Sequence, residues 1–138
     1  MNAASKYHTH LTLHNKSQVR GKDVKDLTDK LPSMVKAIEK HADKQNVVCK
    51  LVQAMNSLAL NDTNCRKIAD SGGIATVLRA LDHAYRSGAP QIAAATAANT
   101  PLPPDLAAVI VQCLKLISRF AMHDVYKRTL CEQVSFCL

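Results

Sequence analysis

The chain contains two similar apolar segments 62 residues apart, and this repetition limits its fold more than any single motif does. In each segment the apolar residues recur at spacings of three and four, as on one face of an α-helix. Beyond the segments, Asp62 matches Asp124 and Arg66 matches Arg128 at the same offset. A repeat at a fixed offset predicts stacked copies of one helical unit, an architecture that builds extended binding surfaces. The matched apolar positions are Val48, Leu51, Val52, Met55, Leu58 and Ala59 in the first segment, and Ile110, Cys113, Leu114, Ile117, Phe120 and Ala121 in the second.

The composition favours one helical domain without a membrane segment. Of 138 residues, 47% are hydrophobic, but there is no Trp and only two Phe, so the core must be mostly aliphatic. No run of apolar residues is long enough to span a membrane, and residues 1–6 lack the apolar stretch of a secretory signal. The five cysteines are odd in number and show no CxxC spacing, which predicts free thiols in a reducing, cytoplasmic environment.

Positive charge is concentrated toward the N-terminus. Residues 1–50 hold ten Lys/Arg and five Asp/Glu, whereas residues 51–138 hold eight and six, which together give the net charge of +7. Residues 1–22 show no sustained periodicity, so we expect a flexible basic arm followed by helical repeats over residues 23–138. Such an arm can attract an acidic protein or RNA, although no RNA-binding motif is present, and a merely solvated basic tail is the alternative.

No combination of residues indicates catalysis, a cofactor or a metal. The three histidines at positions 8, 10 and 14 lie in the predicted arm without neighbouring Cys or carboxylate ligands, so we expect an adventitious cluster. Cys65 or Cys131 could be paired with His123 as a nucleophile, but nothing in the sequence orients such a pair. Gly72-Gly73 is not followed by the Lys-Ser/Thr of a phosphate-binding loop, and we interpret it as a corner between helices. The chain is therefore predicted not to be an enzyme.

Helical periodicity extends over most of residues 31–132, interrupted by an Ala/Pro-rich insertion at residues 86–104. We expect at most a short nascent helix in this insertion. Asp62, Asp105 and Asp124 each stand where a side chain can cap the next helix. Residues 133–138 are expected to form a short tail. The predicted helices span residues 31–42, 46–60, 63–70, 74–85, 105–122 and 125–132.

The stretch from Met55 to Asp62 and the stretch from Cys65 to Ile74 resemble the armadillo repeat. In that family a long third helix is followed by the short first helix of the next repeat, a Gly-containing corner and a second helix. The local match covers residues 47–84, and residues 105–132 fit as another third helix and first helix. The family's unit is about 42 residues, so the insertion at residues 86–104 accounts for the longer offset. HEAT repeats are the nearest alternative.

The resemblance implies an all-α, right-handed α-solenoid fragment whose third helices line a groove for an extended peptide or another protein's helix. In groove-binding members a recurring Asn, with a Trp one turn earlier, grips the ligand. Those places are occupied by Ser57 and Gln53 in the first copy, and by Arg119 and Lys115 in the second. Neither the Asn nor the Trp is present, and a groove that bears Lys115 and Arg119 would better suit an acidic or polar protein partner. The predicted partner-binding residues are Gln53, Ser57, Lys115, Arg119, Arg66 and Arg128.

Two copies are fewer than the three or so that a solenoid needs to stand alone, which predicts membership of a larger assembly or of a longer solenoid. The first functional hypothesis is a non-catalytic scaffold that binds protein along its third helices. The alternative is a helical structural subunit of a cytoskeletal, axonemal or ribonucleoprotein assembly, in which the basic arm contacts acidic tubulin or RNA.

Overall fold

The helical periodicity of the sequence is realised along almost all of the chain that the structure describes. In this computed structural model residues 28–137 are described, with side chains as far as Val134. The predicted arm at residues 1–22 and its histidine cluster therefore lie outside the described residues. Residues 31–137 form α1 (Leu31–Lys40), α2 (Gln45–Leu58), α3 (Asp62–Asp70), α4 (Gly73–Ser87), α5 (Ala89–Ala98), α6 (Pro104–Ala121) and α7 (Asp124–Cys137). The prediction of an all-α fold is confirmed.

Residues 31–138 make one compact unit with α2, α4 and α6 at its centre. α6 packs against α2 and α4, and α1 packs against α2, α3 and α4. α7 packs against α4 and α6. Two triples of helices therefore have corresponding neighbours: α1 contacts α2 and α3, and α4 contacts α6 and α7. The core between them is aliphatic, as the composition predicts, with Phe120 as its largest fully buried side chain.

The buried faces of α2 and α6 correspond at an offset of 61 residues rather than 62. Val52 is 0% exposed, whereas its sequence counterpart Leu114 is 47% exposed. Two residues separate Ala59 from the start of α3, but three separate Phe120 from the start of α7. This extra residue restores the offset of 62 at the following helix. The corresponding buried positions are Val48, Val52 and Met55 on α2 with Ala59 directly after it, and Val109, Cys113, Leu116 and Phe120 on α6.

The predicted aspartate caps are displaced by one residue or more. Asn61 caps α3, since its side chain accepts a hydrogen bond from the backbone N–H of Asn64 at 2.8 Å. Asp62 is instead the first residue of the helix, where a carboxylate still interacts favourably with the helix dipole. Pro103 precedes α6 without a side-chain cap, so Asp105 also lies inside the first turn. The assignment of Asp62 and Asp105 as caps was therefore wrong, and Asp124 likewise lies within α7.

The glycine corner forms as predicted. Gly72 has φ +78°, a left-handed conformation that glycine adopts without a steric cost, and α4 begins at the next residue. A Cβ atom on Gly73 would lie 2.7 Å from the carbonyl oxygen of Ile68, so the close approach of α3 and α4 also requires glycine there. α7 has no glycine at the matching place and continues to Cys137. The predicted tail beyond residue 132 was therefore wrong.

The Ala-rich part of the insertion forms α5, a complete helix rather than a trace of nascent structure. Alanine has the highest intrinsic helix propensity, Pro90 occupies the first turn, and Asn99 ends the helix in a left-handed conformation with φ 53°. Within α5 Ala95 is the buried residue, and the helix packs against α4. α5 thus lies at the edge of the aliphatic core, against which its partly buried Ile92 packs.

A polar contact joins α1 to α4. The Thr76 hydroxyl and the Arg79 guanidinium each donate a hydrogen bond to Oε1 of Glu39 at 2.7 Å. These two bonds, that of Thr76 first, hold the pKa of Glu39 below its usual value. The two triples are therefore linked by a charged contact at their surface as well as by the apolar core.

Candidate functional site

One exposed side of α6 carries a strip of apolar and basic side chains. Its members follow spacings of three, one, three, one and three, so they share one helical face that differs from the buried face. Val111 and Leu114 are each nearly half exposed and Met122 is 81% exposed. Together the six side chains line an open groove of about 570 Å³. We call this surface the α6 strip: Val111, Leu114, Lys115, Ser118, Arg119 and Met122.

The local sequence explains why these residues are displayed. The buried face of α6 is complete without them, because five other side chains of the helix pack into the core. Placing further apolar groups on the opposite side keeps hydrophobic surface in water, which soluble proteins usually limit to interaction sites. The buried face consists of Leu106, Val109, Cys113, Leu116 and Phe120.

The strip is electropositive. Lys115 and Arg119 lie one turn apart, and neither side chain forms an ion pair or a hydrogen bond with the part of the chain that the structure describes. Three other cations, Arg79, Arg86 and Lys127, are each paired with a carboxylate. An apolar face that carries two uncompensated cations suits a ligand with apolar groups and carboxylates.

A second groove continues from the strip toward α4 and α7. It has a volume of about 340 Å³ and is almost entirely apolar. Leu114 lines both grooves and so connects them. Tyr85 of α4, which is more than half exposed, and Val134 of α7 also line the second groove. The exposed apolar surface therefore extends across three helices.

On its other side Arg119 borders a smaller, polar hollow of about 270 Å³. His123 Nε2 lies 3.8 Å from Oδ1 of Asp62 in this hollow, and this contact joins the start of α3 to the connection between α6 and α7. The His123 ring also packs edge-on against Tyr126. The hollow is therefore held by contacts within the protein itself.

The structure brings together two of the six predicted partner-binding residues, Lys115 and Arg119. Gln53 and Ser57 are exposed one turn apart on α2, where the Ser57 hydroxyl donates to the Gln53 carbonyl oxygen at 3.2 Å. By burial, however, they correspond to Leu114 and Ser118 rather than to Lys115 and Arg119. They do not line the α6 strip.

Arg66 and Arg128 are exposed on α3 and α7. Arg66 lies near Tyr126, and its charge opposes the rise that burial causes in the pKa of that phenol. Neither arginine lines any of the three grooves described above. The two arginines recur at an offset of 62 because α3 and α7 themselves begin 62 residues apart. Their role as ligand contacts stays a prediction.

Two features were missed by the sequence analysis. Val111 and Met122 were not recognised as surface residues, because an apolar residue in a helix is assigned to the core by default.

Asn56 is 7% exposed, and its amide nitrogen donates to both the backbone oxygen and Oε1 of Gln112, each at 3.0 Å. This contact fixes α2 against α6. The sequence signal that could have revealed this contact is the polar residue Asn56 within the apolar face of α2.

The two buried cysteines, Cys65 and Cys113, do not have the environment of a nucleophile. Cys65 is buried, its thiol donates to the carbonyl oxygen of Ala59 at 3.6 Å, and burial raises its pKa. Burial raises the pKa of Cys113 to about 12. Both thiols are therefore protonated near neutral pH, whereas a nucleophile requires the thiolate. Among the described side chains, no group of three or more His, Cys, Asp or Glu residues is arranged to hold a metal ion.

None of the helices in residues 28–137 has both the length and the apolar character needed to cross a membrane. Comparison with protein-family models, with curated proteins and with solved structures finds no match to this chain. The armadillo resemblance therefore stays a prediction based on the sequence pattern.

Proposed function

We propose that this protein is a non-catalytic binding module of the armadillo type that holds a partner protein against the exposed face of α6. The α6 strip is the observation that carries the proposal. It combines exposed apolar side chains with two cations that have no counter-ion among the described residues. Lys115 and Arg119 would select the partner by charge, and Val111, Leu114 and Met122 would supply the apolar contact.

The arrangement of helices supports the scaffold interpretation. α1 contacts α2 and α3 as α4 contacts α6 and α7, and α1 packs on α4 as α2 packs on α6. Stacking of equivalent helices in this way is what an α-solenoid requires. With two triples, the module would act as part of a larger cytoplasmic assembly or of a longer solenoid.

A photo-crosslinking experiment tests the proposal. A photoreactive residue replaces Ser118, at the centre of the strip, in the full chain expressed in cells. Ser33, which is exposed on α1, provides the control position. We expect a discrete protein adduct from position 118 that is absent from position 33. The double variant Lys115→Glu/Arg119→Glu should lower its yield by about tenfold, because it reverses the charge of the strip.

Three results would contradict this proposal. Equal adducts from positions 118 and 33 would show that the strip is not a preferred surface. Absence of a discrete adduct from position 118 would leave the strip without a partner. An adduct that disappears on nuclease treatment would identify RNA as the ligand and favour the alternative of a ribonucleoprotein subunit.

A further inference from the structure

We infer that the ligand of the α6 strip is an acidic amphipathic α-helix of a partner protein, an inference that rests on the proposed function and specifies its partner. The strip runs from Val111 to Met122, a rise of about 16 Å along α6, or three helical turns. An opposing helix of the same length presents apolar residues at spacings of three and four, which match the spacing of the strip.

Hydrogen-bonding capacity distinguishes a helix from an extended peptide. The backbone of an extended ligand needs donors and acceptors on the surface that it covers, since buried unpaired backbone groups are costly. Apart from its two cations, the strip offers the single hydroxyl of Ser118. The neighbouring groove is almost entirely apolar and adds the Tyr85 hydroxyl and the Asp82 carboxylate, which is already paired with Arg86. A helix satisfies its own backbone and requires none of these partners.

Charge distinguishes an acidic helix from a second copy of this chain. A symmetric dimer would place the same strip on both sides of the interface, so the Lys115 and Arg119 side chains of the two copies would come together. Like charges at an interface are unfavourable, and the strip itself contains no carboxylate to offset them. Glutamates spaced one turn apart on a partner helix would pair with both cations at once.

The first copy of the repeat limits where such a helix lies. In the burial register, Lys50, Gln53 and Ser57 of α2 occupy the places of Val111, Leu114 and Ser118. The exposed face of α2 is therefore polar, and the apolar contact is confined to α6 and the groove beside it. A docked helix is expected to follow α6 and to extend past Leu114 toward Tyr85, rather than to cross onto α2.

The test uses a fluorescent synthetic peptide of about 15 residues, long enough for the three turns of the strip. It carries Leu at helical spacings of three and four with Glu on either side of them. One control peptide has Lys in place of Glu, and a second has the same composition in an order that is not amphipathic. Each is titrated with the full chain by fluorescence anisotropy, at about 50 mM and about 500 mM salt.

We expect the acidic amphipathic peptide to bind at least about tenfold more tightly than either control, and more weakly at high salt. In the variant Lys115→Glu/Arg119→Glu the preference between the Glu and Lys peptides should reverse. Leu114→Gln should abolish binding of both. Circular dichroism of each variant checks that the exposed substitutions leave the helices formed, and the helical signal of the bound peptide should rise.

Equal binding of the three peptides, or no binding, overturns the inference. So does binding of the acidic peptide that is unchanged by Leu114→Gln. Sedimentation of the free chain as a dimer that Leu114→Gln converts to monomer would identify a second copy as the occupant. If the acidic peptide fails while the adduct from position 118 persists, the proposed function stands and only the class of partner is wrong.

Discussion

α2 and α6 occupy corresponding places in the two halves of the fold, yet their exposed faces have opposite character. Their buried apolar residues match at four positions, from Val48 and Val109 at one end to Ala59 and Phe120 at the other. Their exposed faces differ, since α2 has polar side chains where α6 has Val111 and Leu114. The buried face is constrained by packing in both copies. The exposed face is not constrained in this way, so the difference there points to function.

The largest expected effect concerns the offset at which the buried residues of α2 and α6 correspond. Met55→Ala and Leu116→Ala should each lower the free energy of unfolding by about 3 kcal/mol, because both side chains are fully buried. Ile117, the sequence counterpart of Met55 at an offset of 62, is half-buried, and Ile117→Ala should cost about 1 kcal/mol. Urea denaturation measures all three values. A larger loss for Ile117→Ala than for Leu116→Ala would show that the burial offset of 61 is wrong.

The next test concerns the glycine corner between α3 and α4. Gly73→Ala should lower the free energy of unfolding by about 2 kcal/mol, since its Cβ would meet the backbone oxygen of Ile68. In the matching region of α7 the chain continues as a helix, and the exposed Val134 should tolerate Val134→Ala within about 0.5 kcal/mol. Thermal and urea unfolding compare the two variants. Equal losses would mean that the two regions do not differ as described.

The polar contact between the copies should have a smaller effect. A double-mutant cycle of Asn56→Ala and Gln112→Ala should give a coupling free energy of about 1 kcal/mol, because the two amides are bonded in a partly buried position. Ser57→Ala with Ser118→Ala provides a control pair at corresponding exposed positions, for which no coupling is expected. A coupling free energy no larger than that of the control pair would show that the Asn56 contact does not help to hold α2 against α6.

The smallest expected effect concerns α1 and α4, the helices that precede the two copies. The pKa of Glu39 is lowered in the folded state, so its contribution to stability is present above its unfolded pKa of 4.5 and is lost as pH falls through the folded value. Glu39→Gln should therefore lower the Tm at about pH 6 more than at about pH 3. Thr76→Val should change the Tm in the same direction, since Thr76 contributes most to the shift. A Tm difference independent of pH would contradict this link.

The sequence was sufficient to predict six of the seven helices in residues 31–137, though not α5, and the corner between α3 and α4, because apolar periodicity and glycine conformation are local properties. It was not sufficient for the burial register. Leu114, Ile117 and Leu116 are all apolar, and only packing against α2 and α4 determines which of them is buried. Asp62 was chosen as a cap over Asn61 for a similar reason, since both residue types suit that position.

The candidate site was predicted in part. Lys115 and Arg119 were identified because the armadillo resemblance compares third-helix positions directly, and a basic residue there differs from the family's pattern. Val111 and Met122 were not identified, because α6 is apolar on two sides and the sequence alone does not separate its core face from its exposed face. The polar character of α2 at corresponding positions became visible only when burial set the alignment.

α5 gives the protein a place where sequence can change at little cost. Within this helix, which lies between Gly88 and Pro103, Ala95 is buried and Ile92 is partly buried against the core, while the other side chains are exposed. Lengthening a connection of this kind costs little, since loop-closure entropy grows slowly with length. For protein engineering, α5 is therefore the natural position for an inserted fluorescent reporter, which would leave the α6 strip free to bind.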